Sequence, residues 1–171
     1  MNVESLIGRL DRFAEALPAV VAGIPGADAR WRPPEGGWSI LEIVTHLADE
    51  EVEDFPARLK LTLRDPELEW PPVDPEESAV QRRYNEGNLD EAVGRFVSAR
   101  RDSVKWLRGL REPDWSITHH HEVLGDLRGG DLLAAWVAHD ALHLRQIAKR
   151  LFQLTGRDAG EYGTAYAGSW G

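Results

Sequence analysis

Apolar residues recur at spacings of three and four along four stretches of this chain, the period of a helix with one buried face. The first stretch runs from about Glu4 to Val21, with Leu6, Leu10, Phe13, Leu17 and Val20 on one stripe. Pro25 and Gly26 follow its end, as expected past a helix terminus. The second opens at Ser39. Ser39 and Glu42 stand at capping-box spacing, and Trp38 precedes the cap where an apolar residue can staple the helix start. Its stripe is Ile40, Ile43, Val44, Leu47 and Phe55. Pro56 is expected to kink or end this helix, because it has no N–H to donate to the carbonyl of Val52.

Residues 64–88 read as a linker, broken by Pro66, Pro71, Pro72 and Pro75, with room for a short helical turn from Glu76 to Tyr84. Asn88 and Glu91 form a second capping box. They open a third helix with Leu89, Val93, Phe96, Val97, Val104 and Leu107 on its stripe, and Pro113 closes the region. Ile117 to Arg128 reads as a short hairpin or loop turning near Gly125–Asp126. The fourth helix is expected from near Asp131 to about Leu154, with Thr155–Gly156 as its stop.

Four amphipathic helices without convincing strands predict an all-α fold, a four-helix bundle. The long connection between the second and third helices predicts a crossover rather than a simple meander. The 171 residues fit one domain, expected over residues 1–156, with 157–171 as a loosely packed tail rich in Gly and Ala. At this length about 70% of the unfolded chain's surface can be buried, so no staple is needed to hold a core.

Charge narrows the partners. The formal net charge is −9, which repels phosphate backbones and anionic membranes. No run approaches the ~18 apolar residues of a membrane span. The first residues, MNVESLIGRLDRF, lack a basic stretch followed by an apolar run, and a cytoplasmic protein is expected. The chain has no cysteine. That excludes disulfides, zinc–thiolate sites and a cysteine nucleophile, and fits a reducing compartment.

The candidate chemistry lies on two helices. His139 and His143 are four residues apart on the fourth helix, so their imidazoles point the same way from adjacent turns. They interrupt the apolar stripe of Leu132, Trp136, Ile147 and Leu151. An inward polar group without a partner costs about 1–3 kcal/mol. A shared metal ion at about 2.0–2.1 Å satisfies both rings, and hydrogen bonds to a neighbouring helix are the alternative. His46 lies between Ile43 and Leu47 near the inward face of the second helix. Facing helices are where bundles build metal sites. Three imidazoles with open positions fit a catalytic or substrate-binding ion, and suit Zn²⁺, Ni²⁺, Fe²⁺ or Cu²⁺ better than Mg²⁺ or Ca²⁺.

Neighbouring groups have defined expectations. Glu50 shares the face of His46 and is a candidate general base, with Asp49 beside it. Glu51 and Glu53 read as a solvated acidic face. Asp140 points about 100° away from His139, which fits the surface or a supporting contact rather than ligation. Gln146 can hydrogen-bond within the site. His119, His120 and His121 alternate sides in a strand, so they read as surface or pocket-rim residues. Trp136, one turn before His139, is a candidate pocket wall or a core residue.

The stretches GGWSILEIVTHLADEE and LLAAWVAHDALHLRQI resemble the DinB-like superfamily of bacterial metalloproteins, which includes the bacillithiol transferases and mycothiol-dependent maleylpyruvate isomerases. The resemblance rests on the W-S-I helix start with a histidine seven residues after the serine, the hairpin HHEVLGDLRGGDLL and the HxxxHxxQI segment. It covers roughly residues 1–155. It implies a four-helix bundle, a metal on His46, His139 and His143, and a homodimer. A three-histidine ion with open positions, Zn or Ni being expected, can activate water or deprotonate a small thiol, so a metal-dependent hydrolase or small-thiol S-transferase is expected, and the resemblance fits thiol transfer. The substrate would be a small molecule, with a low-molecular-weight thiol among the candidates. Any thiol nucleophile must arrive as a cosubstrate, because the chain has none. A non-catalytic metal- or ligand-binding stress-response protein is the alternative.

Overall fold

A computed structural model describes residues 1–170. The helices are α1 (Val3–Val21), α2 (Gly26–Ala29), α3 (Ile40–Glu53), α4 (Phe55–Arg64), α5 (Pro75–Gln81), α6 (Leu89–Gly109) and α7 (Gly129–Asp158), with strands β1 (Thr118–His121) and β2 (Gly125–Arg128) before α7. The long helices α1, α3, α6 and α7 form the bundle: α3 packs along α6, α6 along α1, and α7 closes against α1, α3 and α4. The crossover between α3 and α6 carries α4 and α5.

The core has two apolar clusters. One gathers Leu17, Ile40, Leu41, Val44, Leu47, Phe96 and Ile147. The other gathers Ile7, Leu10, Leu59, Val104, Leu107, Leu133 and Trp136. Each fully buried aliphatic side chain contributes about 1.5–3 kcal/mol. The buried face of α1 is rotated from the expected stripe. Ile7, Ala14 and Val21 are buried, whereas Val20 is exposed, because α1 is covered by both α6 and α7 and the contact face is broader than one stripe.

The break at Pro56 is real and local. Helix α3 ends at Glu53, Asp54 forms the junction, and α4 restarts with Pro56 in its first turn, where a missing N–H costs nothing. The 64–88 linker holds α5 in the region expected for a short turn.

Two expectations are corrected. The antiparallel hairpin pairs His121 with Gly125, so the chain reverses through Glu122–Leu124. Gly125 instead opens β2, with φ of 74°, a value that favours glycine. Helix α7 does not stop at Thr155–Gly156 but continues to Asp158. Thr155 Oγ1 donates to the Leu151 carbonyl at 2.9 Å, and Arg157 anchors the last turn to Asp28 at 2.7 Å. A glycine inside a helix costs only about 1 kcal/mol, which such contacts offset. Among the described residues no helix is long and apolar enough to cross a membrane.

Candidate metal centre

The start of α3 is fixed by its cap. Ser39 Oγ accepts from the Glu42 N–H at 3.1 Å, and the Glu42 carboxylate accepts from the Ser39 N–H at 2.8 Å. Glu42 also accepts from Arg32 Nε at 2.8 Å, which sets the rotation of the helix. His46, two turns on, then faces inward and is buried.

Helix α7 presents His139 and His143 to the same point. The His46 ring centre lies 5.4 Å from that of His139 and 4.7 Å from that of His143, and the α7 pair is 4.2 Å apart. One ring nitrogen from each histidine lies within 4.8 Å of the others, a group able to hold a metal ion. The His139 and His143 Nε2 atoms are 2.9 Å apart. Two donors at about 2.0–2.1 Å from one ion lie no more than about 4.2 Å apart, close to the spread of this group.

Supporting contacts select the donor nitrogens. His143 Nδ1 donates to Gln146 Oε1 at 2.9 Å, which directs its Nε2 at the site. Burial lowers the His46 pKa to about 3, with His143 adding to the effect. Burial also lowers His139 to about 3, helped by His143, His46 and Arg100. Burial lowers His143 too, with Gln146 opposing. All three rings are therefore neutral at neutral pH, the form that ligates metal.

Glu50 stands beside them, its Oε1 3.6 Å from His46 Nδ1. Burial pushes Glu50 up to about 8, and Asp54 reinforces the shift by its charge and a hydrogen bond. Burial raises Asp54 as well, with Arg58 and Glu50 opposing. Arg58 Nε lies 3.0 Å from Asp54. Glu50 is thus protonated at neutral pH beside the Asp54 carboxyl.

The histidines form part of a cavity of about 630 Å³. Trp38, Ile43 and Phe55 give it apolar wall, and the Phe55 ring centre lies 4.9 Å from that of His139. Glu50, Asp54 and Glu76 also line it, as do Gln146, Lys149 and Arg150.

The expected residues divide. His46, His139, His143, Glu50 and Gln146 come together. Asp49 turns away to accept from Arg82 at 2.7 Å and Tyr84 Oη at 2.6 Å. Glu53 stays at the surface with Arg82. Glu51 is not solvated: it is buried and paired with Arg100 at 2.7 Å. Asp140 is not on the surface either, but is buried against the same guanidinium. Glu51 lies on a face that α6 covers, and the long Arg100 side chain reaches across the bundle to Asp140, relations that one helix wheel cannot reveal. Trp136 is core rather than pocket wall: its ring stacks on Phe55 at 6.1 Å and its N–H donates to Glu51 at 2.7 Å.

The histidine run lies on β1. His119 is buried, its Nδ1 2.8 Å from the Pro66 carbonyl and its ring 4.1 Å from that of Trp70, so of the two expected places it takes the pocket rim rather than the surface. His120 is exposed beside Asp126. His121 Nδ1 accepts from the N–H groups of Val123 and Leu124. These residues line a different cavity.

The reading of the sequence passed over Asp54, Arg100 and Arg150. Asp54 is four residues past Glu50, at helical contact spacing, and Arg100 lies on the α6 stripe midway between Phe96 and Val104. Both signals were present.

The sequence model of the DinB superfamily matches residues 9–147. The chain belongs to the DinB superfamily. A protein of Oceanobacillus iheyensis, named as a candidate metal-dependent hydrolase, is 23% identical over 157 residues, covering 85% of this chain and 83% of that protein. Among solved structures the chain is similar to YfiT from Bacillus subtilis, described as a probable metal-dependent hydrolase with an unusual four-helix bundle topology. The TM-score is 0.79 at 18% identity, over 92% of this chain and 87% of that one. At that identity the match shows a shared fold. The DinB bundle thus places the three histidines of this chain on α3 and α7 at one cavity.

Proposed function

We propose that this DinB-superfamily protein is a metal-dependent hydrolase of a small molecule, with its divalent ion held by His46, His139 and His143. The observation that carries this is the convergence of three neutral imidazoles from α3 and α7 beside a buried, protonated carboxyl. The donor set fits the group: three neutral nitrogens with no carboxylate among them suit Zn²⁺ or Ni²⁺ and leave positions open. When bound, such an ion supplies Lewis-acid polarisation of a carbonyl and lowers the pKa of water.

The chain's own residues supply the rest. Glu50 is the general base and proton carrier. With a dication held by the histidines its pKa would fall, and Asp54, paired with Arg58, stands ready to take its proton. Gln146 orients His143. Trp38 and Phe55 limit water at the histidines, which strengthens every charge interaction inside. The relatives' names support the hydrolase reading.

Thiol transfer is the second reading, because a cavity of about 630 Å³ has room for a low-molecular-weight thiol beside an electrophile. The test is a rate comparison on protein loaded with Zn²⁺ or Ni²⁺. Small esters and amides, and a thiol with an electrophile in parallel, are offered to the parent, His139→Ala and Glu50→Gln. We expect turnover by the parent only, with Glu50→Gln retaining metal but slowed about 10²–10⁴-fold. Equal rates in the parent and His139→Ala overturn the catalytic reading and leave a non-catalytic binding protein.

A further inference from the structure

We propose that the substrate carries a carboxylate, and that Arg150 binds it at the end of the cavity away from Glu50. This rests on the three histidines being the metal site. Arg150 lies seven residues past His143, two turns along the same face of α7 and about 10.5 Å away along the axis.

Three observations assign it this role. Arg150 is 9% exposed, yet no carboxylate lies within 4.0 Å of it among the described residues. Arg32, Arg82, Arg100 and Arg157 each hold one. Its Nε donates to the Trp38 carbonyl and its Nη1 to Gln153 Oε1, both at 2.6 Å. The remaining nitrogen, Nη2, has no protein hydrogen bond among the described residues, and Arg150 lines the cavity. Nη2 thus faces the cavity with N–H groups that no protein acceptor takes, and a carboxylate there would accept from it and supply the missing anion.

The backbone leaves room for this group. A Cβ on Gly37 would stand 2.6 Å from Nη2, and Gly37 takes φ of 95°. The charge layout also selects an anion. Lys149 is exposed beside Arg150, whereas Glu50, Asp54 and Glu76 line the same cavity. Repulsion from the carboxylates among these, and attraction to Lys149 and Arg150, therefore orient an anionic substrate with its carboxylate toward Arg150. Burial lowers the Arg150 pKa, with Glu35 and Glu42 opposing, so the charge is incompletely compensated within the protein.

The test uses the Zn²⁺-loaded full chain and two linear hydroxamates of equal length. One ends in a carboxylate about 10 Å from the hydroxamate, the other in a carboxamide. Titration calorimetry is expected to show the carboxylate bound about tenfold or more tighter by the parent. Arg150→Met should bind both equally. Arg150→Lys keeps the positive charge without the fork and should retain only part of the preference, which preserves the test if Arg150→Met fails to fold. No preference in the parent, or full preference in Arg150→Met or Arg150→Lys, overturns the proposal. Carboxamide binding that disappears in His139→Ala reports on the metal site separately. If neither hydroxamate binds the loaded parent, the metal reading falls and the carboxylate proposal falls with it.

Discussion

Arg100 grips Asp140 through two N–H···O bonds of 2.6 and 2.7 Å, and Asp140 follows His139 directly in sequence. The same guanidinium lies 2.7 Å from Glu51, five residues past His46, and donates to the Leu10 carbonyl at 3.2 Å. One side chain of α6 therefore ties together α1, α3 and α7, including both helices that carry histidines. Burial pushes Asp140 up to about 6, with Arg100 opposing and Glu51 adding. Two acids and one arginine in the core bind the bundle only while all are present.

Removing the centre of that cluster should therefore be costly. Arg100→Leu leaves two buried acids without their cation, and a loss of about 3–5 kcal/mol in stability is expected. Urea unfolding of the metal-free protein measures it. A loss below about 1 kcal/mol would show that the acids find other partners.

His46 and Gln146 separate ligation from orientation. His46→Ala should lower bound Zn²⁺ well below one ion per chain by elemental analysis and abolish the thermal shift on adding Zn²⁺. Gln146→Ala should keep the stoichiometry but weaken affinity about 10–100-fold. Full occupancy with unchanged affinity in His46→Ala would remove α3 from the site.

Acid should destabilise the metal-free protein through the histidines first. His46 and His139 are held near 3 in the folded state against about 6.5 in the unfolded chain. As pH falls below 6.5 the unfolded chain takes up these protons and the native state does not. The histidine contribution is thus complete above pH 6.5 and declines as pH falls toward 3, while Glu50, raised to about 8, opposes it by taking up its proton in the folded state first. Glu42 acts later and separately. Burial raises its pKa, but Arg32 and Ser39 hold it below the ordinary value of 4.5, so its contribution is lost only below about pH 4.5. In Glu50→Gln, which removes the opposing proton uptake of Glu50, urea midpoints should fall between pH 6.5 and 5, and fall less steeply when His139→Ala is added, since His46 still resists its proton. A flat profile in Glu50→Gln would contradict the burial of these rings.

Ser39 caps the helix that aims His46, and its hydroxyl also donates to Asn85 at 2.7 Å. Ser39→Ala should cost about 1–2 kcal/mol, a drop of about 2–4 °C in Tm per kcal/mol. An unchanged Tm would mean that packing alone sets the start of α3.

Local order was legible because it is written in local spacing. The α3 cap formed at Ser39 and Glu42, Asn88 capped α6 through the Glu91 N–H at 3.1 Å, and Pro56 fell where α3 gives way to α4. The pairing of His139 with His143 needed only the pitch of one helix. The sequence by itself thus determined the helices, their caps and the common direction of two imidazoles.

Relations between helices belonged to the tertiary structure. A helix wheel assigns one inward face, but α3 and α7 each meet more than one neighbour, so Glu51 and Asp140 became buried around Arg100 rather than solvated. The meeting of His46 with the α7 pair and the reach of Arg150 to the Trp38 carbonyl, which leaves Nη2 without a protein partner, both depend on which element lies opposite. Spacing along a chain sets only the angle around one axis; contact across the bundle is set by packing.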